Sequence, residues 1–291
     1  MRATCRSLAT LGMTQRSTRL RGYPLVAALL GMTALCLASS EADAQRRGGR
    51  RGFGDGDPNS FYVPPDFRGN VPYDGRFTFA RIKYRGYERF MQEGPGWSHD
   101  YPRAEEHLMR IMREITSIRP FVESEKAIGG NILALDDPEL MKYPIAYLSE
   151  PGGWHPNEKE ASGLRNYLLK GGFVIVDDFD NSGGDLQHFL NVMQQVLPKA
   201  TVVDIPESHP IFDSFFKVDL RMMERGEANY GGARYLGIYQ DNDPKKRLMM
   251  IVNLNLDVGE HWQWSNRGFS PVPSNEAYKL GVNYLIYALT H

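Results

Sequence analysis

Cysteine is nearly absent from this chain, because only Cys5 and Cys36 occur among its 291 residues. Both lie in an N-terminal segment that has the features of an export signal. Without that segment the chain has no disulfide, no thiolate metal ligand and no cysteine nucleophile. Its stability must therefore come from an apolar core, for which a body of about 240 residues is sufficient.

Long apolar runs are also missing, apart from Pro24–Ala38 in the same N-terminal segment. Arginines without any acid precede this run, and the small residues of Ala42-Asp43-Ala44 follow it at the spacing of a cleavage site. That order is typical of a secretory signal, and the run is short for a membrane span. We expect a signal peptide over 1–44 and a periplasmic or secreted protein with no stable membrane span after cleavage; an uncleaved anchor is the alternative.

Positive charge is scarce in the rest of the chain. After residue 51 there are 25 basic and 33 acidic side chains, a net charge of −8. An acidic body argues against nucleic acid as a partner. The Arg-, Gly- and Pro-rich stretch 45–73 predicts a disordered linker, and a single α/β domain is expected over 74–291.

Alternating strand and helix patterns follow the linker. The predicted strands are Phe77–Tyr84, Tyr143–Ser149, Phe173–Val176, Ala200–Asp204, Arg234–Gln240 and Arg247–Leu254, the last two as a pair joined by a turn. Predicted helices begin at Pro102, at Asn157 with a capping box to Glu160, and at about Ser274, and Gly171 ends the second of them. This alternation predicts an open, mostly parallel sheet with helices on both faces, in a flavodoxin-like α/β fold.

Carboxylates follow two of these strands. Asp177, Asp178 and Asp180 come after the strand at Phe173–Val176, and Glu150 follows the preceding strand. Ligands bind at the carboxyl ends of parallel strands, so this edge of the sheet is the candidate site. Acids this close together require a proton, a cation or a basic partner.

Two arrangements would satisfy these acids. Ca²⁺ or Mg²⁺, which prefer oxygen ligands, could be held by Asp178 and Asp180. Alternatively, one aspartate caps the following helix while another pairs with Arg81 or Arg85. The sequence leaves both open.

Further candidate residues lie in loops. Gly152 and Gly153 could present backbone N–H groups to an anion, or form a plain tight turn. Trp154 and Trp262 stand beside charged or glycine residues, so they could stack on a sugar or peptide, or pack beneath the loops. His209 could serve as a base or a ligand, or be an ordinary surface or core histidine.

Several longer motifs occur along the chain: FxRxxY at 79–84, WxxDYP at 97–102, YLSEPGG at 147–153, GGFVIVDDF at 171–179, HPIF at 209–212, GEHWQW at 259–264 and the ending AYKLGVNYLIYALTH at 277–291. Together they resemble the bacterial family DUF4159, a domain of unknown function whose fold is similar to that of class I glutamine amidotransferases.

The wider likeness assigns roles to two of these segments. Pro151-Gly152-Gly153 resembles the amidotransferase loop that supplies oxyanion donors, and Val176-Asp177-Asp178 resembles its nucleophile turn. An aspartate stands where that family has its cysteine, so the resemblance does not extend to amidotransferase activity. The stretch at 209–211 is also similar to trehalose-utilisation proteins of the same fold.

Two functions follow as hypotheses. The first is an exported, non-catalytic binding or accessory module that uses an acid-and-aromatic cleft for a glycan, a peptide or another envelope protein and requires no cofactor. It is favoured because the covalent chemistry of the related fold is lost. The alternative is a metal-assisted hydrolase that acts on a glycan or peptide with Asp177 or Asp178 and Ca²⁺ or Mg²⁺.

Overall fold

A seven-stranded sheet and a separate two-stranded hairpin organise the domain in the computed structural model, which describes residues 63–85, 95–124, 127–179, 184–224 and 232–291. These residues belong to one compact unit over 59–291. The predicted signal peptide, most of the predicted linker and Asp180 lie outside the described residues.

The strands are β1 Phe79–Lys83, β2 Val122–Ser124, β3 Ala127–Ile128, β4 Gly130–Ala134, β5 Ile145–Ser149, β6 Phe173–Phe179, β7 Val203–Asp204, β8 Arg234–Tyr239 and β9 Leu248–Leu254. The α-helices are α1 Arg103–Ile115, α2 Glu158–Leu169, α3 Asp185–Val196, α4 Leu220–Glu224, α5 Val258–Gln263 and α6 Pro271–Thr290.

The large sheet has the strand order β4-β1-β5-β6-β9-β8-β7. Neighbours from β4 to β9 are parallel, and β8 and β7 add an antiparallel edge. Numbered along the chain, the five parallel strands have the order 2-1-3-4-5, which is the flavodoxin-like order. The predicted open, mostly parallel sheet is confirmed.

Helices cover both faces of the sheet, as expected. Leu108 of α1, Trp262 of α5 and Leu280 of α6 belong to the core on one face. Leu164 of α2 and Phe189 of α3 belong to the core on the other. Central strand β6 contributes alternate residues to both cores, so its run of apolar residues has the pattern of a strand buried on both sides.

The capping box and the terminating glycine that the sequence predicted for α2 are both confirmed. Asn157 Oδ1 accepts hydrogen bonds from the backbone N–H of Lys159 (2.8 Å) and Glu160 (3.0 Å). The Glu160 carboxylate accepts from the N–H of Asn157 at 2.8 Å, which completes the capping box. After the helix, Gly171 adopts φ +113°, a conformation that favours glycine.

Several boundaries differ from the sequence predictions; for example, β6 continues to Phe179 and β7 begins only at Val203. Helix α6 begins at Pro271 rather than Ser274, because proline is tolerated in the first turn, where no N–H is needed. Edge strand β4 and the hairpin of β2 and β3 were not predicted. Asn70 and Val71 form hydrogen bonds with Asn131 and Ile132 of β4, so the predicted linker extends too far into the domain.

None of the helices that the structure describes is both long and apolar enough to cross a bilayer.

Candidate metal centre

Six acidic or imidazole side chains lie at the carboxyl edge of the parallel strands. Two lie near the C-terminal end of β6, one each follows β5 and β9, and a pair lies in the turn that precedes α1; they are Asp177, Asp178, Glu150, Asp257, His99 and Asp100. Strand order brings them together, because β1, β5, β6 and β9 are consecutive neighbours in the sheet.

Four of these residues form a tight group, which we call the metal centre: His99, Asp100, Asp178 and Asp257. Each offers one ligand atom, and these atoms all lie within 4.8 Å of one another. His99 Nδ1 is 2.6 Å from an oxygen of Asp178 and 4.0 Å from oxygens of Asp100 and Asp257. The spacing is suited to a single cation.

Asp100 is the most unusual member of the metal centre. It is 2% exposed, and neither carboxylate oxygen has a hydrogen-bond partner among the described residues. Burial raises its pKa well above the usual range. Gly259 packs so closely on this carboxylate that a Cβ there would collide with it. An ionised carboxylate is costly to bury in this way, so Asp100 requires either a proton or a cation.

His99 supplies the positive charge when no cation is bound. Burial opposes its protonation, but the hydrogen bond with Asp178 and the neighbouring carboxylates outweigh burial and raise its pKa to about 10. The imidazolium is shared among several acids, since Glu150 Oε1 also lies 3.6 Å from Nδ1. A metal ion would replace this proton, because a ligating imidazole nitrogen must be deprotonated.

Asp178 and Asp257 are held by backbone geometry as well as by charge. Asp178 adopts φ +61° at the end of β6, an uncommon conformation for a non-glycine residue. Asp257 caps α5, accepting from the N–H of Glu260 at 2.6 Å. Burial, then Asp100 and Asp178, raise the pKa of Asp257 well above its usual range.

Asp177 has a different role from its neighbour. Its carboxylate is fully buried and accepts hydrogen bonds from Tyr147 Oη (2.7 Å), Asn253 Nδ2 (2.9 Å) and the N–H of Gly259 (2.9 Å). Burial raises its pKa to about 6. These bonds join β5, β6, β9 and α5, so Asp177 is a structural residue.

Arg81, one of the two arginines considered as partners for an aspartate at the end of β6, pairs elsewhere. It forms a buried ion pair with Glu105 of α1. Its Nη1 donates to the carbonyls of Trp97 (3.0 Å) and His99 (2.8 Å). Arg81 therefore fixes the turn that carries the metal centre's histidine.

The sequence left the Pro151-Gly152-Gly153 loop open between an anion site and a plain tight turn. The loop is a 3₁₀ turn in which the N–H of Gly153 donates to the carbonyl of Glu150 at 3.3 Å. The carboxylate of Asp185 packs against Gly152. A negative charge beside the loop opposes an oxyanion, so the plain-turn interpretation fits the geometry.

Trp154 and Trp262, which were expected to contribute to an aromatic binding surface, are buried. Trp97, Trp154 and Trp262 are almost entirely shielded from solvent. Trp262 Nε1 donates to the carbonyl of Ala277 at 3.0 Å and so ties α5 to α6. The charged and glycine neighbours of these tryptophans in the sequence had suggested exposed rings, but the rings pack beneath the loops.

His209 lies away from the metal centre. Its ring packs near Tyr239 and Tyr287, and its Nδ1 accepts from the N–H of Ile211 at 3.2 Å. Tyr239 pairs with Leu248 at the start of β9, which is the opposite edge of the sheet from Asp257. The prediction of His209 as a site residue is wrong, because the segment that follows β7 places its ring against Tyr239 and Tyr287.

The family match covers the whole metal centre. The family described as Domain of unknown function (DUF4159) matches residues 78–289. The chain belongs to this family. No curated protein matches the chain. This DUF4159 domain contains all four residues of the metal centre within the matched range.

Sequence reasoning found one residue of the metal centre and missed three. His99 and Asp100 lie within the WxxDYP motif, which indicated the family and no chemistry. Asp257 follows β9, and the rule that located Asp178 applies to it equally. It was missed because β9 was expected to pair with β8, whereas it also lies parallel to β6.

Proposed function

We propose that this DUF4159 domain is a metal-assisted hydrolase whose cation is bound by His99, Asp100, Asp178 and Asp257. One observation carries the proposal, which is the buried Asp100 carboxylate without a hydrogen-bond donor among the described residues. Three carboxylates in close contact are compensated only partly by one imidazolium, and a divalent cation compensates them better.

The ligand set favours a transition metal over the Ca²⁺ or Mg²⁺ expected from the sequence. Ca²⁺ and Mg²⁺ prefer all-oxygen sites, whereas imidazole is suited to Zn²⁺ and related ions. One nitrogen and three carboxylates therefore favour Zn²⁺ or Mn²⁺. Asp178 keeps its expected role as a ligand, and His99, Asp100 and Asp257 join it.

Partial exposure favours hydrolysis over a purely structural ion. The side chains of His99 and Asp178 are 28% and 16% exposed, so water can reach one side of the metal centre. A bound cation lowers the pKa of such a water and makes it a nucleophile near neutral pH. The non-catalytic module has less support, because Trp154 and Trp262, two aromatic side chains on which it relied, are buried.

Export is part of the proposal and rests on the order of the N-terminal segment. A periplasmic or secreted hydrolase of this kind would act on a glycan or peptide of the envelope. Sequencing the N-terminus of exported material should return Gln45 or a residue close to it. Material that begins at Met1 would contradict cleavage.

Calorimetric titration of Zn²⁺, Mn²⁺, Ca²⁺ and Mg²⁺ tests the cation. Wild type should bind Zn²⁺ or Mn²⁺ with one site, and Asp100→Asn should bind either ion much more weakly. Asp204→Asn is the matched control, since Asp204 is an exposed aspartate paired with Arg234. Absence of binding by wild type up to about millimolar metal, the weakest affinity in the usual range, would contradict the proposed function.

A further inference from the structure

We infer that Glu150 is the general base of this metal centre and that the substrate is an uncharged or cationic acyl compound, an amide or an ester. The inference rests on the proposed cation site and adds to it a catalytic residue and a substrate class.

The backbone of Glu150 is fixed on both sides. Its N–H donates to the carbonyl of Asp177 at 3.0 Å, and its own carbonyl accepts from Tyr84 Oη at 2.6 Å. The residue adopts φ +46°, a left-handed conformation that directs the chain sharply away from β5. This geometry sets the direction in which the side chain leaves the sheet.

The Glu150 carboxylate is placed beside the metal centre and outside the group of four. Oε1 lies 3.6 Å from His99 Nδ1, and the side chain is 21% exposed. Gly96 packs against the carboxylate, where a Cβ would collide with it. A base must lie within hydrogen-bond reach of the water that it deprotonates. A partly exposed carboxylate next to a ligand of the cation meets that condition.

Charge selects the class of substrate. The three carboxylates of the metal centre exceed the charge of a divalent cation by one negative charge. Arg81, a cation beside this turn, is already paired with Glu105. A phosphate ester would carry its own negative charge into an acidic site, whereas a neutral carbonyl is polarised by the cation without this repulsion.

The proposed step is a balanced hydrolysis. Water held by the cation gives a proton to Glu150, and its oxygen forms a bond with the carbonyl carbon. The bond from that carbon to the leaving nitrogen or oxygen breaks, and Glu150 returns the proton to the leaving group. The products are a carboxylic acid and an amine or alcohol, and no oxidant or further reactant is required.

The test compares Glu150→Gln with wild type, both loaded with Zn²⁺, on two probes. They are p-nitrophenyl acetate, which is uncharged, and bis(p-nitrophenyl) phosphate, which is anionic. Wild type should hydrolyse the acetate faster in a zinc-dependent manner, measured against the same protein with EDTA. Glu150→Gln should keep its zinc affinity by calorimetry and lose about 100-fold or more in kcat/KM. Glu158→Gln, an exposed glutamate at the start of α2, is the matched control.

Each of the remaining outcomes contradicts a specific claim about Glu150, the substrate or the cation site. Equal loss of zinc affinity in Glu150→Gln and Asp100→Asn would make Glu150 a ligand and contradict its role as base. Retained turnover, faster hydrolysis of the phosphate, or zinc binding without zinc-dependent hydrolysis would reject the inference and leave the cation site standing. Wild type that binds no metal would instead reject the proposed function. Should Glu150→Gln fold poorly, Glu150→Asn serves in its place, because asparagine tolerates the left-handed backbone.

Discussion

Asp177 and Asp178 are adjacent in the chain, yet their carboxylates have opposite surroundings. Asp177 is buried and accepts hydrogen bonds from three donors. Asp178 turns outward through a left-handed backbone and contacts His99 Nδ1 at 2.6 Å. This contrast separates a structural role for Asp177 from a chemical one for Asp178.

Conservative substitution of the two aspartates should therefore have different consequences. Asp177→Asn places an amide opposite at least one of its present donors, leaves that donor buried and unpaired, and should lower the free energy of unfolding by about 1–3 kcal/mol. Asp178→Asn should change stability much less and weaken zinc binding strongly. Urea unfolding and zinc titration of both variants measure the contrast, and equal effects on stability would contradict it.

The ion pair of Arg81 and Glu105 should be a strong determinant of stability. Both side chains are almost fully buried. Arg81→Met leaves Glu105 charged without its partner and also releases the carbonyls of Trp97 and His99, so we expect a loss of about 3–5 kcal/mol. Arg81→Met combined with Glu105→Met should recover part of that loss in denaturant unfolding. A single variant as stable as wild type would show that the pair is not essential.

We expect buried His261 to make the folded protein less stable in mild acid. It is buried, neither ring nitrogen has a hydrogen-bond partner among the described residues, and burial lowers its pKa from 6.5 to about 4. The unfolded chain therefore takes up this proton first, and stability falls as the pH drops from 6.5 towards 4. The full effect is on the order of 3 kcal/mol.

His261→Leu isolates that contribution. The difference in unfolding free energy between the variant and wild type should grow in favour of the variant between pH 6.5 and pH 4. Other groups titrate in both proteins and cancel in the comparison. A difference that stays constant across this range would show that His261 is protonated equally in the folded and unfolded chains.

The sheet could be predicted from the sequence because its signals are local. Asn157 with Glu160, the glycines after α2 and the apolar run of β6 each depend on neighbouring residues. Edge strand β4 gave no such signal, since its environment is set by pairing with β1 and with Asn70. The burial of Trp154 and Trp262 could not be predicted from local sequence either, because it depends on how the loops pack.

The metal centre could be predicted only in part for the same reason. Asp178 follows a recognisable strand, and the strand-end rule found it. Its proximity to Asp257 requires β9 to lie beside β6, and its contact with His99 requires Arg81 to fix the turn before α1. Neither relationship can be predicted from neighbouring residues in the sequence, so only the structure identified His99, Asp100 and Asp257.

Anomalous diffraction at the zinc absorption edge, from crystals soaked in Zn²⁺, tests the metal centre most directly. We expect one peak bounded by His99 Nδ1 and by oxygens of Asp100, Asp178 and Asp257, with metal–ligand distances of about 2.0–2.2 Å. Saturated crystals with no peak at that position, in which His99 remains hydrogen-bonded to Asp178, would contradict it.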